Sequence, residues 1–493
     1  MLDKLKWSNL LLLIIILIIT GVLSYLTLNA GHDWGDDFAL YIRQAQSIIN
    51  GTQQQCLEDN TFAMDRSSGP TGPYLYPWGF PLILATTYTL SGFNLLAFKF
   101  TGIVFFLLSL LLTYFIFKKR STSNALIIVA LIGFNPYFIS FTDNVLSDFP
   151  FLFFSLLSLF LIYKIVLASN EEYKHFLWYL FLGFVLFYSF YIRPNGIVIL
   201  LVLMLTQLIA YSIKINTPKK PFSLKPFLPY AGFLLFFITS KVYFPQVKES
   251  HLDFLGRIHL QQITNNIEYY FIELPKVFFG HYQSFNLAFI LFPFAIIGSL
   301  ISIKKEYHLH LFFFGTLTLF IIWPDDSQGL RFIFPLLPIF LYFSFSGISF
   351  VNQKINFYSR YNGLSIIAGL ILIFLFLKQS YTQAFENVNS LNKVVEGPFE
   401  AESTEAFNYL QRNSSNEDVI VFFKPRTLNL LISRRSVLIY DFEKIKSVNG
   451  SHLVLHKHMS DFNQVKPDDT RLNTTSWLKL VFENKYYLIY KIN

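Results

Sequence analysis

"NLLLLIIILIITGVLSYLTLNAGHDWGDDFALYIRQAQSIING", residues 9–51, joins an apolar run to an acidic, amphipathic one, and the fold follows from how that junction is read. The run 9–28 is long enough to cross a hydrocarbon core, which takes roughly 20 mostly apolar residues. No small-residue cleavage site stands before Gly31, so the segment reads as a retained anchor rather than a signal peptide. Behind it come three carboxylates, Asp33, Asp36 and Asp37, and then Phe38, Tyr41, Ile42, Ala45, Ile48 and Ile49 at helical spacing, closed by Asn50-Gly51. The spacing predicts a helix capped by Asp33 that lies along a membrane surface. Asp36 and Asp37 fall in its first turn, where the free N–H groups favour carboxylates. Dipole pairing alone accounts poorly for two adjacent acids that repel each other.

The rest of the chain repeats the apolar theme. Of 493 residues, 53% are apolar, 14% are charged and 58 are Phe, a composition that excludes an ordinary soluble domain. Further apolar segments are read at 97–117, 124–141, 149–168, 176–192, 196–213, 227–244, 285–303, 309–323, 332–350 and 363–378, giving about eleven transmembrane helices. Alternate loops carry Lys118-Lys119-Arg120, Lys214 with Lys219, Lys220 and Lys225, Lys304-Lys305, and Lys354 with Arg360. With Lys4 and Lys6 these place the N-terminus in the cytoplasm. The opposite loops are acidic, with Glu58, Asp59, Asp65, Asp143, Asp148 and Asp325-Asp326. The net charge of +8 is therefore a record of orientation in the membrane, and no basic stripe suited to nucleic acid is present. Cys56 is the single cysteine, which excludes an intramolecular disulfide and a cysteine metal cluster.

Two regions are not spans. Residues 31–95 form a long outer loop belonging to a membrane module of 1–379. Residues 380–493 are polar, with a helix expected in "STEAFNYLQRN" behind Ser403-Thr404 and strands in "DVIVFF", "SVLIY", "HLVLHK", "LKLVFE" and "KYYLIYKI". An odd number of spans puts this small α/β domain outside the cytoplasm.

Four outward stretches carry candidate chemistry. "GPTGPYLYPWGFPLILA" (69–85) has Pro70, Pro73, Pro77 and Pro81, which forbid a regular helix, and aromatic residues including Tyr76 that suit a roof over a site. "TDNVLSDFP" (142–150) supplies Asp143 and Asp148, the latter at the edge of hydrocarbon where an unpaired carboxylate is costly. "YIRPNG" (191–196) and "WPDDSQGLRFIFPLLP" (323–338) place Arg193 and Arg331 on the outer side, against the usual charge bias. A guanidinium matches phosphate in a bidentate fork, and it equally pairs with an acid such as Asp148 or Asp325.

In this order, "DD" followed by Tyr41, "YPWGFPLI", "NPYFISFTDNVLSD", "RPNG" and "GLRFIFPLLP" resemble the membrane glycosyltransferases of the GT-C superfamily, in particular the protein O-mannosyltransferases, aminoarabinose transferases and their bacterial relatives. The resemblance runs through most of residues 1–380. It departs from the family in Asp36-Asp37, where Asp-Glu is common, and in Trp78, where Pro is frequent. It implies a polytopic GT-C-like protein of the cell envelope that moves a sugar from a polyprenyl-phosphate donor to a lipid, glycan or protein acceptor on the extracytoplasmic face. The first-loop acids would activate the acceptor.

The residues themselves suit that chemistry, since displacing a polyprenyl phosphate needs a base for the acceptor hydroxyl and a cation for the leaving phosphate. Asp36 is expected as the base with Asp37 beside it, and Arg331 as the phosphate clamp. Tyr41, Tyr76, Asp143, Asp148 and Arg193 are expected around the substrate. One direct displacement would invert the anomeric centre. The acids at 36, 37, 143 and 148 leave the cofactor open between none and a divalent cation. A transporter or lipid flippase, a polysaccharide polymerase and a partner-binding scaffold are the competing readings. The first would favour acids near mid-span and interrupted helices in matching halves, and neither is seen.

Overall fold

The computed structural model describes residues 2–69, 71–168, 171–173, 175–214, 224–246, 258–279, 285–323, 329–355, 363–390, 394–458 and 464–493. Asp325, Asp326, Pro70, Lys219, Lys220 and Arg360 lie outside the described residues.

The chain begins with α1 (Leu2–Leu26), followed by α2 (Asp36–Asn50), α3 (Gln53–Arg66) and α4 (Gly79–Ser91). The bundle continues with α5 (Leu95–Phe117), α6 (Thr122–Gly133), α7 (Pro136–Phe141), α8 (Asp148–Ile162), α9 (Phe176–Ile192), α10 (Ile197–Lys214), α11 (Leu228–Tyr243), α12 (Leu260–Phe279), α13 (Phe285–Ser302), α14 (Tyr307–Ile321), α15 (Leu337–Ile355) and α16 (Gly363–Asn389). Each of the eleven apolar segments falls on helix. Among the described residues six helices are long and apolar enough to cross a membrane, and Thr122–Gly133, Phe176–Ile192, Ile290–Ser302 and Tyr307–Ile321 are shorter apolar helices. Leu11, Ile18 and Val22 on α1, Phe100 and Val104 on α5, and Leu370 and Phe374 on α16 stay exposed, as suits helices that face lipid. Where helices meet each other, small residues let backbones close up. Gly298 on α13 faces the Phe343 carbonyl of α15, and Gly347 on α15 faces the Phe294 carbonyl of α13, so a Cβ at either would collide with backbone.

The tail folds as α17 (Ala401–Asn413), β1 (Val419–Val421), α18 (Pro425–Ile432), β2 (Arg435–Val437), β3 (His452–His456), α19 (Arg471–Thr474), β4 (Leu478–Glu483) and β5 (Tyr487–Ile492). The sheet order is β2-β1-β3-β5-β4, with β1 parallel to β2 and β3, and β5 antiparallel to β3 and β4. All five expected strands are present because their alternating or continuous apolar runs fill the two sides of this sheet.

Several local expectations fail for identifiable reasons. Helix α2 starts at Asp36 with Gly35 at its N-cap, and Asp33 does not cap it. The Asp33 carboxylate instead accepts from the Gly35 N–H at 3.0 Å and pairs with His32 at 2.9 Å, a local turn that competes with the cap. Helix α2 packs against α4 and α18. The stretch 69–85 is irregular only as far as Trp78, because Pro81 sits in the first turn of α4, where a missing N–H costs little. The apolar segment 124–141 is two helices, divided where Asn135 accepts from the N–H groups of Tyr137 and Phe138 and Pro136 opens α7. Ser403-Thr404 do not cap α17, which begins at Ala401 behind Glu400. Ser403 Oγ instead lies 2.8 Å from the Tyr487 hydroxyl and ties α17 to β5.

Candidate active site

Adjacent residues on a helix project about 100° apart, so α2 sends its two first-turn acids in different directions. Asp36 faces the C-terminal unit, where its Oδ1 accepts from the Thr427 backbone N–H at 3.0 Å and from the Thr427 hydroxyl at 2.7 Å. Asp37 faces the membrane module. Its Oδ1 accepts from the Tyr76 hydroxyl at 2.5 Å, and its Oδ2 accepts from an Arg331 guanidinium nitrogen at 3.2 Å. Both partners of this pair remain part-open, with side-chain exposures of 28% for Arg331 and 34% for Asp37, so a ligand can reach the pair.

The two carboxyls differ electrostatically. Burial raises Asp36 above the ordinary carboxylate range, against the charge of Arg426 and the hydrogen bonds from Thr427. Burial also opposes ionisation of Asp37, but the Tyr76 hydrogen bond and the charges of Arg331 and Arg426 outweigh it and hold that carboxyl below the ordinary range. Asp37 is thus the acid kept ionised beside a cation.

The stretch 69–85 packs its aromatic residues on α2. Tyr76 stacks on Tyr41 with centroids 4.1 Å apart, and Phe80 meets Tyr41 edge-on at 4.9 Å. The buried Gln44 of α2 fixes Tyr76 by its backbone, donating to its carbonyl at 2.9 Å and accepting from its N–H at 3.1 Å. Burial pushes the Tyr41 hydroxyl up to about 12, so it stays neutral, and it lies 3.1 Å from Ser147 Oγ.

Ser147 continues the chain inward, accepting from Arg193 Nε at 2.9 Å, and Arg193 pairs with the fully buried Asp148 at 2.8 Å. Arg193 and Arg331 lie on the same ring, Phe332, at 4.6 and 5.4 Å. Asp148 and Arg193 therefore form a buried ion pair that backs the site, while Arg331 is the cation that meets Asp37. Asp143 stands in a third place. It is bound by the fully buried Lys99 at 2.6 Å and by Asn29, and Lys99 also donates to the Asn29 and Gly31 carbonyls, which fastens the exit of α1.

Two residues of the tail reach the site without any sequence signal having marked them. Arg426 is 4% exposed, donates to the Asn60 side chain at 3.2 Å and to the Pro73 carbonyl at 2.5 Å, and lies 5.8 Å over the Tyr76 ring. Its remaining guanidinium nitrogen is buried without a hydrogen-bond partner. Gly72, at φ +103°, makes room for it, since a Cβ there would strike the guanidinium. Arg426 and Thr427 sit in "FFKPRTLNLL", where the only cue is Pro425 opening a helix.

The fold has known counterparts. A structure of ArnT from Cupriavidus metallidurans bound to undecaprenyl phosphate is similar over 98% of this chain and 98% of its own, at 10% identity and TM-score 0.59. The archaeal oligosaccharyltransferase AglB from Archaeoglobus fulgidus, in complex with an inhibitory peptide and a dolichol-phosphate, is similar over 92% of this chain and 70% of its own, at 12% identity and TM-score 0.55. The Archaeoglobus fulgidus oligosaccharyltransferase in complex with Zn and sulfate matches over 90% and 68%, at 12% identity and TM-score 0.55. This chain has the GT-C fold. No family model matches the sequence, and no curated protein matches it. In this chain helix α2, the 69–85 stretch and the Arg331 segment meet at Asp37 through its contacts with Tyr76 and Arg331.

The four candidate acids are each engaged by a protein donor. Asp36 is taken by Thr427, Asp37 by Tyr76 and Arg331, Asp143 by Lys99 and Asp148 by Arg193. Among the described residues no group of three His, Cys, Asp or Glu side chains converges on one point.

Proposed function

We propose that the protein is a membrane glycosyltransferase that takes a sugar from a polyprenyl-phosphate donor and transfers it, with inversion, to a hydroxyl-bearing lipid, glycan or protein acceptor on the extracytoplasmic face. The observation that carries this reading is the contact of Asp37 with Arg331, a carboxylate and a guanidinium brought together from 294 residues apart, under an aromatic roof, on a GT-C fold. The similar structures solved with undecaprenyl phosphate and with dolichol-phosphate bound support the donor class.

In this reading Asp37, rather than the expected Asp36, takes the acceptor proton. The acceptor oxygen forms its bond to the anomeric carbon as the carbon–oxygen bond to the donor phosphate breaks. The phosphate leaves with the electron pair and is held by Arg331. Tyr76 orients the Asp37 carboxylate, and Arg426 supplies a second positive charge from the tail. Asp36 acts through structure, as the anchor of α18 on α2. No step runs through a metal.

Purified protein given a radiolabelled polyprenyl-phosphate sugar should release polyprenyl phosphate and label an acceptor. A transporter would bind or move the lipid without breaking the glycosyl bond, and that result would end the transferase reading. Arg331→Lys keeps the charge but loses the planar fork, so donor affinity should fall about tenfold or more with insertion and folding retained. Unchanged donor binding in this variant would move the phosphate site elsewhere.

The orientation has its own test. The loop charges place Lys225 in the cytoplasm and Asn493 outside, so reporters fused after these residues should read opposite sides. Two readings on the same side would refute eleven spans.

A further inference from the structure

At the end of the bundle away from Asp37, a cavity of about 260 Å³ opens between the α5–α6 turn, the α13–α14 turn and the last turns of α15. Helix α5 carries the chain there from the Lys99 end, over 23 residues or roughly 34 Å. Loop charge assigns this end to the cytoplasm. We propose that the cavity binds the headgroup of an anionic glycerophospholipid, one that carries both a phosphodiester and free hydroxyls.

Three features call for that chemistry. The first is charge. Arg120 and Lys305 line the cavity and exceed its one acid, Glu306, and Lys118, Lys119 and Lys304 adjoin them in sequence. Glu306 accepts from Arg120 Nε at 2.7 Å and from one terminal nitrogen at 2.5 Å. That pairing fixes the guanidinium plane and leaves further N–H donors for a phosphate oxygen.

The second feature is an acceptor without a donor. Asn124 is 7% exposed, and its amide nitrogen donates to Ser349 Oγ at 3.1 Å, with the Phe345 carbonyl at 3.5 Å. Its Oδ1 is buried with no hydrogen-bond partner. A phosphate cannot satisfy it, and a hydroxyl can. The ligand therefore needs donors as well as negative charge, which a choline headgroup lacks.

The third feature is the surroundings. Leu300 and Ile301, the latter on the cavity wall, are exposed on the outer side of α13 and present apolar surface for an acyl chain. A soluble phosphate compound would gain nothing from them. Nothing in this binding depends on the chemistry at Asp37.

The test uses full-length protein, delipidated in detergent and titrated with phosphatidylglycerol, phosphatidylcholine or soluble glycerol 3-phosphate, read by native mass spectrometry and thermal melting. Phosphatidylglycerol should remain bound through purification and raise the melting temperature, and the other two should not. Lys305 is exposed, so Lys305→Glu should fold normally and weaken phosphatidylglycerol binding by about tenfold or more. Asn124→Leu should reduce the preference for phosphatidylglycerol over phosphatidic acid, which lacks the hydroxyl headgroup. Equal retention of phosphatidylcholine, or an unchanged affinity in Lys305→Glu, would overturn the site. Glycerol 3-phosphate binding as tightly as the lipid would overturn the lipid as its occupant.

Discussion

Asp37→Asn is expected to lower turnover by about 10² to 10⁴, with donor binding largely kept, because the amide retains the shape and the Tyr76 contact but cannot accept the acceptor's proton. Asp36→Asn should do much less to the chemical step. Its carboxyl is raised by burial and engaged by Thr427, so the loss falls on the contact between α2 and α18. Single-turnover rates and melting curves of the two variants separate these roles. The opposite order, with Asp36→Asn the slow variant and Asp37→Asn within a few fold of the parent, would return the base to Asp36 and leave Asp37 as a partner of Arg331. The pH dependence adds a second check. Asp37 is held below the ordinary carboxylate range, so the stability its contacts contribute is complete above the unfolded pKa of about 3.9. That contribution is lost only as the pH falls below this value, through the depressed one.

Removing Arg193 is expected to have the largest effect on stability. Asp148 is 1% exposed and pairs with Arg193 at 2.8 Å, and Arg193→Met strands that carboxylate in an apolar setting. Truncating one partner of a buried pair costs about 3 to 5 kcal/mol, so the variant should melt well below the parent in detergent and insert poorly. Replacing both partners, Arg193→Met with Asp148→Leu, should recover most of that loss, because no uncompensated charge remains. If the double variant folds well yet turns over slowly, the pair also positions the site through Ser147 and Tyr41. A single variant as stable as the parent would show that Asp148 is hydrated or takes up a proton when its partner is removed.

The sequence by itself determined the class of this protein. Apolar segments of membrane length can only be helices, since the bilayer offers no other partner for backbone groups, and all eleven fall on helix. Apolar patterning in the tail placed five strands to within three residues at either end. The acids of 31–51, Arg193 and Arg331 stood out because charge beside hydrocarbon has a cost and so a reason. Sequence could not say which of Asp36 and Asp37 meets Arg331. Neighbours on one helix point about 100° apart, and what each meets was set by residues 391 and 294 positions away. The Ser403 cap was misread for the same kind of reason, since Ser403 meets Tyr487 from 84 positions away, whereas Asp33 was lost as a cap to a local turn with His32 and Gly35. Arg426 and Thr427 carry no motif, and only the docking of α18 on α2 brings them to the site. Tertiary structure alone decided the pairings of Asp36, Asp37, Ser403 and Arg426, because a side chain's role depends on the groups packed against it, and those came from distant parts of the chain.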